Sequence, residues 1–143
     1  MQVSVLLQTK GSEVVTVGPG QPISEVVAIL AEHRIGAVVV MSESSIDGVL
    51  SERDVVRALA RDGATALEAA ASSLMTVEVV TCEPDTTVEQ LMSTMTERRI
   101  RHVPVVVDGE LVGLVSIGDV VKHHIAVLEH ETQAMHDYIA NPY

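Results

Sequence analysis

Two stretches decide the reading of this chain: Gly48-Val-Leu-Ser-Glu-Arg-Asp54 and Gly113-Leu-Val-Ser-Ile-Gly-Asp119. Both follow the pattern G-h-h-S-x-x-D, with h apolar, and they stand 65 residues apart. Sliding the chain over itself by 65 residues extends the match outward without a gap. Residues 14–60 fall on 79–125, and fourteen of these 47 positions are identical. Val14-Val15-Thr16 lands on Val79-Val80-Thr81, Pro19 on Pro84, Arg34-Ile35 on Arg99-Ile100, and Asp54-Val55-Val56 on Asp119-Val120-Val121. Two copies of one supersecondary unit, each too small to cover its own apolar face, are expected to pack on one another.

Each copy reads in the same order. A short strand (residues 14–17; 79–82) runs to a proline. A helix follows, with apolar residues at helical spacing: Ile23, Val26, Val27 and Leu30, then Val88, Leu91, Met92 and Met95. Residues 38–41 and 103–107 are apolar strand runs, followed by turn signals at 44–47 and at Asp108-Gly109. A third strand (48–50; 111–115) leads into a helix at Asp54 and at Asp119. The fold class is α/β (α+β), built from β-α-β-β-α twice. Outside the repeats, residues 3–9 predict a helical turn or two stopped by Gly11, and the alanine-rich stretch 64–74 predicts a helix linking the repeats. The last helix is expected from about Asp119 to Ala140, with Val120, Val121, Ile125, Leu128, Met135, Tyr138 and Ile139 recurring along it. It overruns the repeat, so part of its apolar side is expected to serve a second subunit. The division is residues 1–64 (first repeat and N-terminal helical segment) and 65–143 (second repeat, linker helix and long C-terminal helix).

Composition narrows the function classes. A chain of 143 residues has the size of one ordinary domain. It carries 20 acidic and 9 basic residues, a net charge of −11. It has no Trp, no Phe and two Tyr, but 26 Val, so its core is aliphatic and β-branched, which favours strands. An acidic surface without aromatics argues against nucleic-acid binding. At 47% hydrophobic residues the chain is not a disordered one. No apolar run approaches a membrane span, and the start, MQVSVLLQTK, lacks the basic and apolar regions of a signal peptide. The single cysteine, Cys82, excludes an internal disulfide and fits a reducing cytoplasm.

The S-x-x-D corner has two compatible readings. Ser as N-cap with an acid three residues on resembles a capping box, which satisfies free helix N–H groups and complements the dipole. The functional reading adds that a helix N-terminus offers donors to an anion. An Asp there can also accept both hydroxyls of a ribose cis-diol, as an acidic residue does in dinucleotide folds. Eight of the nine basic residues lie in matching stretches: Arg34, Arg53, Arg57 and Arg61, then Arg98, Arg99, Arg101 and Lys122. They form local positive sites on an acidic surface and point to an anionic ligand. Arg57, Arg61 and Arg98 are read as solvated helix faces.

The paired pattern resembles a tandem of CBS (cystathionine-β-synthase) domains, the Bateman module, and in particular the stand-alone bacterial CBS-pair proteins. The residues that carry the resemblance are Arg34-Ile-Gly-Ala-Val-Val-Val40 with Ser51-Glu-Arg-Asp54, and Arg99-Ile-Arg-His-Val-Pro-Val105 with Ser116-Ile-Gly-Asp119. Met75-Thr76 ahead of the second repeat belongs to the same pattern. The resemblance implies two repeats related by a pseudo-twofold axis and packed through their sheets. Two clefts then lie between them, each able to take an adenosine compound: AMP, ADP, ATP, NAD(H) or S-adenosylmethionine. By the same resemblance Asp54 would hold one ribose, with Ser51 and Arg53 near the phosphates and the adenine against Ile100, Arg101 and Thr76-Val77. In the other cleft Asp119 would hold the ribose, with Ser116 and His102 toward phosphate and the base against Ile35, Gly36 and Gly11-Ser12. The copies differ. Arg53 is matched by Gly118, Arg101 by Gly36 and His102 by Ala37, so the Asp54 cleft is expected to be the better polyphosphate or dinucleotide site. The Asp119 cleft is expected to bind weakly, or at lower pH where His102 is charged.

Other motifs fail on spacing. His123 and His124 point ~100° apart on a helix, which does not make a metal pair. His130-Glu131 is followed by Ala134 where a zinc-protease motif needs His. There is no P-loop or G-x-S-x-G, and Ser51 and Ser116 lack a base arrangement. Cys82 reads as a buried free thiol, and Glu129, Glu131 and Asp137 as a solvated face. The sequence therefore predicts a non-enzymatic regulatory module. It would sense energy or redox state through an adenosine nucleotide and shift the conformation of a homodimer or of a separately encoded partner. There would be no catalytic cofactor, no metal, no nucleic acid and no membrane. The rival reading is a structural or interaction protein whose nucleotide clefts are vestigial.

Overall fold

The computed structural model describes residues 1–11 and 13–141. Helix α1 (Val3–Lys10) precedes the first repeat: β1 (Thr16–Val17), α2 (Ile23–His33), β2 (Ala37–Ser42), β3 (Ser45–Ser51) and α3 (Glu52–Asp62). A 3-10 segment (Gly63–Glu68) and a four-residue helix α4 (Ala71–Leu74) lead into the second repeat. This consists of α5 (Val88–Arg98), β4 (His102–Val107), β5 (Glu110–Ser116) and the long α6 (Ile117–Ala140). The first repeat has a three-stranded sheet in the order β1-β2-β3, the second a β4-β5 hairpin.

Three elements differ from the sequence expectation. Of the predicted strand at 79–82, only a bridge from Cys82 to Val105 forms. The first turn lies at Glu43-Ser44 rather than 44–47, because Glu43 takes the left-handed conformation (φ 54°) that a tight hairpin demands. At the equivalent corner Asp108 and Gly109 both have positive φ, 51° and 81°, as that dipeptide predicts. The linker 64–74 is two short helical pieces instead of one helix.

The repeats are built alike to the level of single hydrogen bonds. The β2–β3 ladder slips between Val40 and Met41 and the β4–β5 ladder between Val105 and Val106, 65 residues on. Glu52 N donates to Gly36 O at 2.9 Å, and Ile117 N to Arg101 O at 2.8 Å. Along β2, Val38 and Val40 point into the first core with Ile23, Val26, Leu30 and Leu50. Ala37 and Val39 are equally buried but face the other way, where the two sheets pack about the pseudo-twofold axis. A strand buried on both faces needs an unbroken apolar run, which residues 37–41 supply.

The two cores do not divide at residue 64. Val3 and Leu6 of α1 are buried in the second core with Leu91, Met95, Val103, Val105 and Val115. Ala71 of α4 is buried in the first core, with Leu67, Ala69, Leu74 and Met75 packed against it. The buried cores therefore do not follow the expected boundary at 64/65: α1 packs in the core of the second repeat and α4 in that of the first. Backbone bonds fix both: Val3 N to Thr86 O at 2.8 Å and Ser4 N to Pro84 O at 2.9 Å, matched by Ala71 N to Gln21 O at 2.8 Å and Ser72 N to Pro19 O at 2.9 Å.

Two glycines allow these crossings. A Cβ on Gly48 would lie 2.7 Å from the Thr76 carbonyl oxygen, and one on Gly113 would lie 2.6 Å from Leu7 Cδ2. The first obstacle is backbone, the second the tip of a flexible side chain. Gly48→Ala should therefore cost about 1–3 kcal/mol and Gly113→Ala less. Urea unfolding of both variants checks the order, and equal losses would contradict it.

Candidate functional site

Each third strand ends in a closed corner. Ser51 Oγ accepts from Asp54 N at 3.3 Å, while Ser51 N and Oγ both donate to Asp54 Oδ2, at 2.9 and 3.0 Å. In the second repeat Ser116 Oγ accepts from Asp119 N at 3.2 Å and Ser116 N donates to Asp119 Oδ2 at 2.8 Å. Both are full capping boxes with Asp in the place usual for Glu or Gln. At the start of α3 the N–H of Glu52 goes to Gly36 O and that of Asp54 to Ser51 Oγ. Among the described residues, the N–H of Arg53 and Oδ1 of Asp54 have no hydrogen-bond partner.

Arg53 and Asp54 line a cavity of about 490 Å³. It gathers Ser51, Arg53, Asp54, Thr76, Ile100 and Arg101, six of the residues expected around Asp54, while Val77 points away and is exposed. The wall over Gly48 is an extended strap. Thr76 N donates to Val49 O at 2.9 Å and Val49 N to Thr76 O at 3.1 Å. Arg57, expected on a solvated face, lines the cavity, as does Arg99. Arg99 sits there because it ends α5 in the left-handed conformation, φ 55°. Four arginines therefore meet three carboxylates, Glu52, Asp54 and Glu78, in one cleft.

The residues expected in the second cleft are placed differently. Gly36 and His102 line the first cavity and so lie on the Asp54 side of the axis. A Cβ on Gly36 would sit 3.2 Å from His102 Nε2, so the two are in contact across the repeats. Ile35 packs against the first core. Gly11 caps α1 with φ 95°, and Ser12 lies outside the described residues. Ser116 and Asp119 stand at their corner, but the carboxylate is already engaged. Lys10 Nζ donates to Asp119 Oδ2 and to Leu114 O, both at 2.6 Å. Leu7 lies over Gly113.

Lys10 was the one basic residue outside the matched stretches, and sequence reasoning missed it. The signal was there at a different offset. The paired bonds of α1 and α4 run at 68 residues, which sets Ser4 on Ser72, Leu6 on Leu74 and Leu7 on Met75. Helix α4 stops at Leu74 and hands over to the strap, whereas α1 continues to Lys10. Leu114 O is the counterpart of Val49 O, so the ammonium takes the acceptor that the strap uses in the first cleft.

Burial raises the Asp119 carboxyl, but the Lys10 and Ser116 hydrogen bonds outweigh it and hold the group below its ordinary value. His102 is held below the ordinary histidine value by burial and by Lys10, with Arg101 adding to this and Glu52 and Asp119 opposing. This weakens the expectation of a charged His102 serving phosphate. Burial, with Glu83 beside it, pushes the Cys82 thiol up to about 11, so it is a packing group.

A sequence profile of the CBS domain matches residues 9–61 and 71–126. The chain belongs to the CBS-domain family. It is a CBS pair, and its fold is that of a CBS-domain containing protein from Agrobacterium tumefaciens, with a TM-score of 0.85 and 47% identity over 87% of this chain and 99% of that one. It is 34% identical over 124 residues to the mitochondrial CBS domain-containing protein CBSX3 of Arabidopsis thaliana, covering 83% of this chain and 60% of that protein. This CBS pair thus spans under two thirds of that curated relative. It also matches the CBS domain pair of the protein MJ0100, solved in complex with 5′-methylthioadenosine and S-adenosyl-L-methionine, with a TM-score of 0.79 and 25% identity over 88% of this chain and 97% of that one. Among the described residues no helix is long and apolar enough to cross a membrane.

The Lys10–Asp119 pair has a pH signature. A carboxylate held low in the fold contributes stability above its unfolded value of ~3.9 and loses it as pH falls through the lower folded value. Lys10→Met should therefore be less stable than the parent at pH 7, with the gap closing below about pH 4. Chemical denaturation across pH 3–8 measures it, and a pH-independent gap would assign the loss to packing alone.

Proposed function

We propose that this CBS pair is a non-enzymatic regulatory module that binds one adenosine nucleotide in the Asp54 cleft. The observation that carries the reading is the juxtaposition, in one cavity, of an open carboxylate oxygen, an unused helix N–H and four arginines. Asp54 Oδ1 suits the two hydroxyls of a ribose. Arg53 offers both its N–H and its guanidinium to phosphate, with Arg57, Arg99 and Arg101 around it. Thr76 and Ile100 supply a backbone edge and an apolar contact for the base. Four cations favour a ligand with two or more phosphates, which places ADP, ATP and NAD(H) ahead of AMP. They disfavour S-adenosylmethionine, whose sulfonium is itself positive. The bound solved neighbour supports an adenosine moiety as the common element.

The second cleft is closed by Lys10, and Asp119 is a structural carboxylate here. Vestigial clefts, the rival reading, thus describe one of the two. Binding would draw the strap, α3 and the Ile100 loop together, and a ligand with unequal affinity for two such states shifts a second copy or another partner. The buried lone cysteine and the absence of disulfides suit a cytoplasmic setting.

Calorimetry with ADP, ATP, NAD, AMP and S-adenosylmethionine tests this. One equivalent per chain is expected. Asp54→Ala should weaken binding about 100-fold, the loss of two hydrogen bonds to a charged group, and Asp119→Ala should leave it within about threefold. A parent protein that binds none of the five, with no 260 nm absorbance on purification, would leave the interaction reading standing.

A further inference from the structure

Helix α6 has 24 residues against 11 for its counterpart α3. Its first turns lie against the body through Val120, which is buried, and His123 and Val127, which are half-buried. A second set of residues runs its whole length at alternating steps of four and three: Val121, Ile125, Leu128, Thr132, Met135 and Ile139. All six are exposed, with Leu128 at 48% and Met135 and Ile139 at 67% and 72%. At 3.6 residues per turn this row stands about 130° away from the face that meets the body. A row with that alternation is the a/d seam of a coiled coil, with Val121, Leu128 and Met135 at d and Ile125, Thr132 and Ile139 at a. The body leaves it uncovered.

The flanking positions select the occupant. At g stand His124, Glu131 and Tyr138, and at e stand Lys122, Glu129 and His136. In a parallel pair each g residue faces the e residue five positions on in its partner. This sets His124 against Glu129 and Glu131 against His136, so that an imidazole N–H donates to a carboxylate at each contact, twice over by symmetry. In an antiparallel pair e meets e and g meets g. With the whole seam overlapped, that sets Glu129 against Glu129, Glu131 against Glu131, and Lys122 against His136. Over its full length the row is thus self-complementary in parallel and repulsive in antiparallel, and an antiparallel pair escapes the repulsion only by slipping a heptad and uncovering part of the seam. We infer that α6 pairs in parallel with α6 of a second copy of this chain along the Val121–Ile139 seam. This pairing needs only the helix, and it stands whether or not the Asp54 cleft binds nucleotide.

Sedimentation equilibrium on the full chain should show a dimer. The double variant Leu128→Glu/Met135→Glu should weaken it on the order of 100-fold, since two apolar side chains per copy lose their cover. Both sites are exposed in the single chain, so its helical circular dichroism and melting should be retained. A second arm reads orientation. Thr132→Cys places a thiol opposite its own copy in the parallel pair and should cross-link to a dimer under mild oxidation. Ala134→Cys, off the seam, should not, and the native Cys82 is buried. A monomeric parent protein, or a dimer that survives Leu128→Glu/Met135→Glu, overturns the proposal. So does an antiparallel result, in which Thr132→Cys cross-links only to a Leu128→Cys chain.

Discussion

Everything in this molecule hangs on the hydrogen-bonded corner between Ser and Asp three residues later. At each third strand the Ser ends the ladder, caps the helix and accepts the third N–H, while the Asp carboxylate returns to the Ser backbone. One such cap contributes ~1 kcal/mol, a modest amount. Its geometric consequence is larger. It fixes the angle at which α3 and α6 leave their sheets, and with it the face that each helix turns to its own core. The N–H just beyond each corner reaches back to the loop before the second strand, at Gly36 O and Arg101 O. The corner therefore also holds the loop that meets the other repeat. Because only one oxygen of the Asp54 carboxylate closes the helix, the fastening and the candidate binding group are one residue.

That shared corner explains why two clefts of one ancestry are in different states. Both Asp side chains accept from the backbone N–H of their Ser. What differs is the element that crosses above. In the first cleft the crossing helix ends after four residues and its chain runs on as a strap paired to Val49. In the second it stays helical for eight, and the extra turn delivers Lys10 to Asp119 and Leu114. A half-exposed ion pair alone is worth little. Here it is backed by the Leu114 carbonyl and by Leu7 packed over Gly113, so Asp119 is engaged by several weak contacts acting together.

The 65-residue register made most of the fold legible, because hydrophobic spacing, hairpin residues and capping residues all repeat in it. The Asp54 cavity was legible too, down to Ser51, Arg53, Ile100 and Arg101. What escaped were features that the register does not carry. The placement of α1 and the linker depends on residue 3 sharing a core with residue 103 and residue 71 sharing one with residue 38, and local spacing holds no trace of such groupings. Lys10 escaped because α1 and α4 align at 68, three residues out of step. Arg57, expected on a solvated helix face, is indeed exposed, but an exposed guanidinium can still stand at a cavity mouth. His102 is expected by analogy in the Asp119 cleft, yet it lines the Asp54 cavity, where Gly36 leaves room for its ring.

The crossing also bears on how the two halves communicate. Neither repeat has a complete core without a short helix from outside it: Val3 and Leu6 serve the second, Ala71 the first. The strap at Thr76 follows directly on α4, and it ties the first sheet through Val49 to the segment that enters the second repeat. A ligand between Asp54 and Ile100 would therefore touch three things at once: a helix start of the first repeat, a loop of the second, and the one piece of chain that joins them. A net charge of −11 repels large polyanions from nearly the whole surface. The arginines on α3 and the α5–β4 loop gather four positive charges beside Glu52, Asp54 and Glu78 at this junction, where a small anion would touch both repeats.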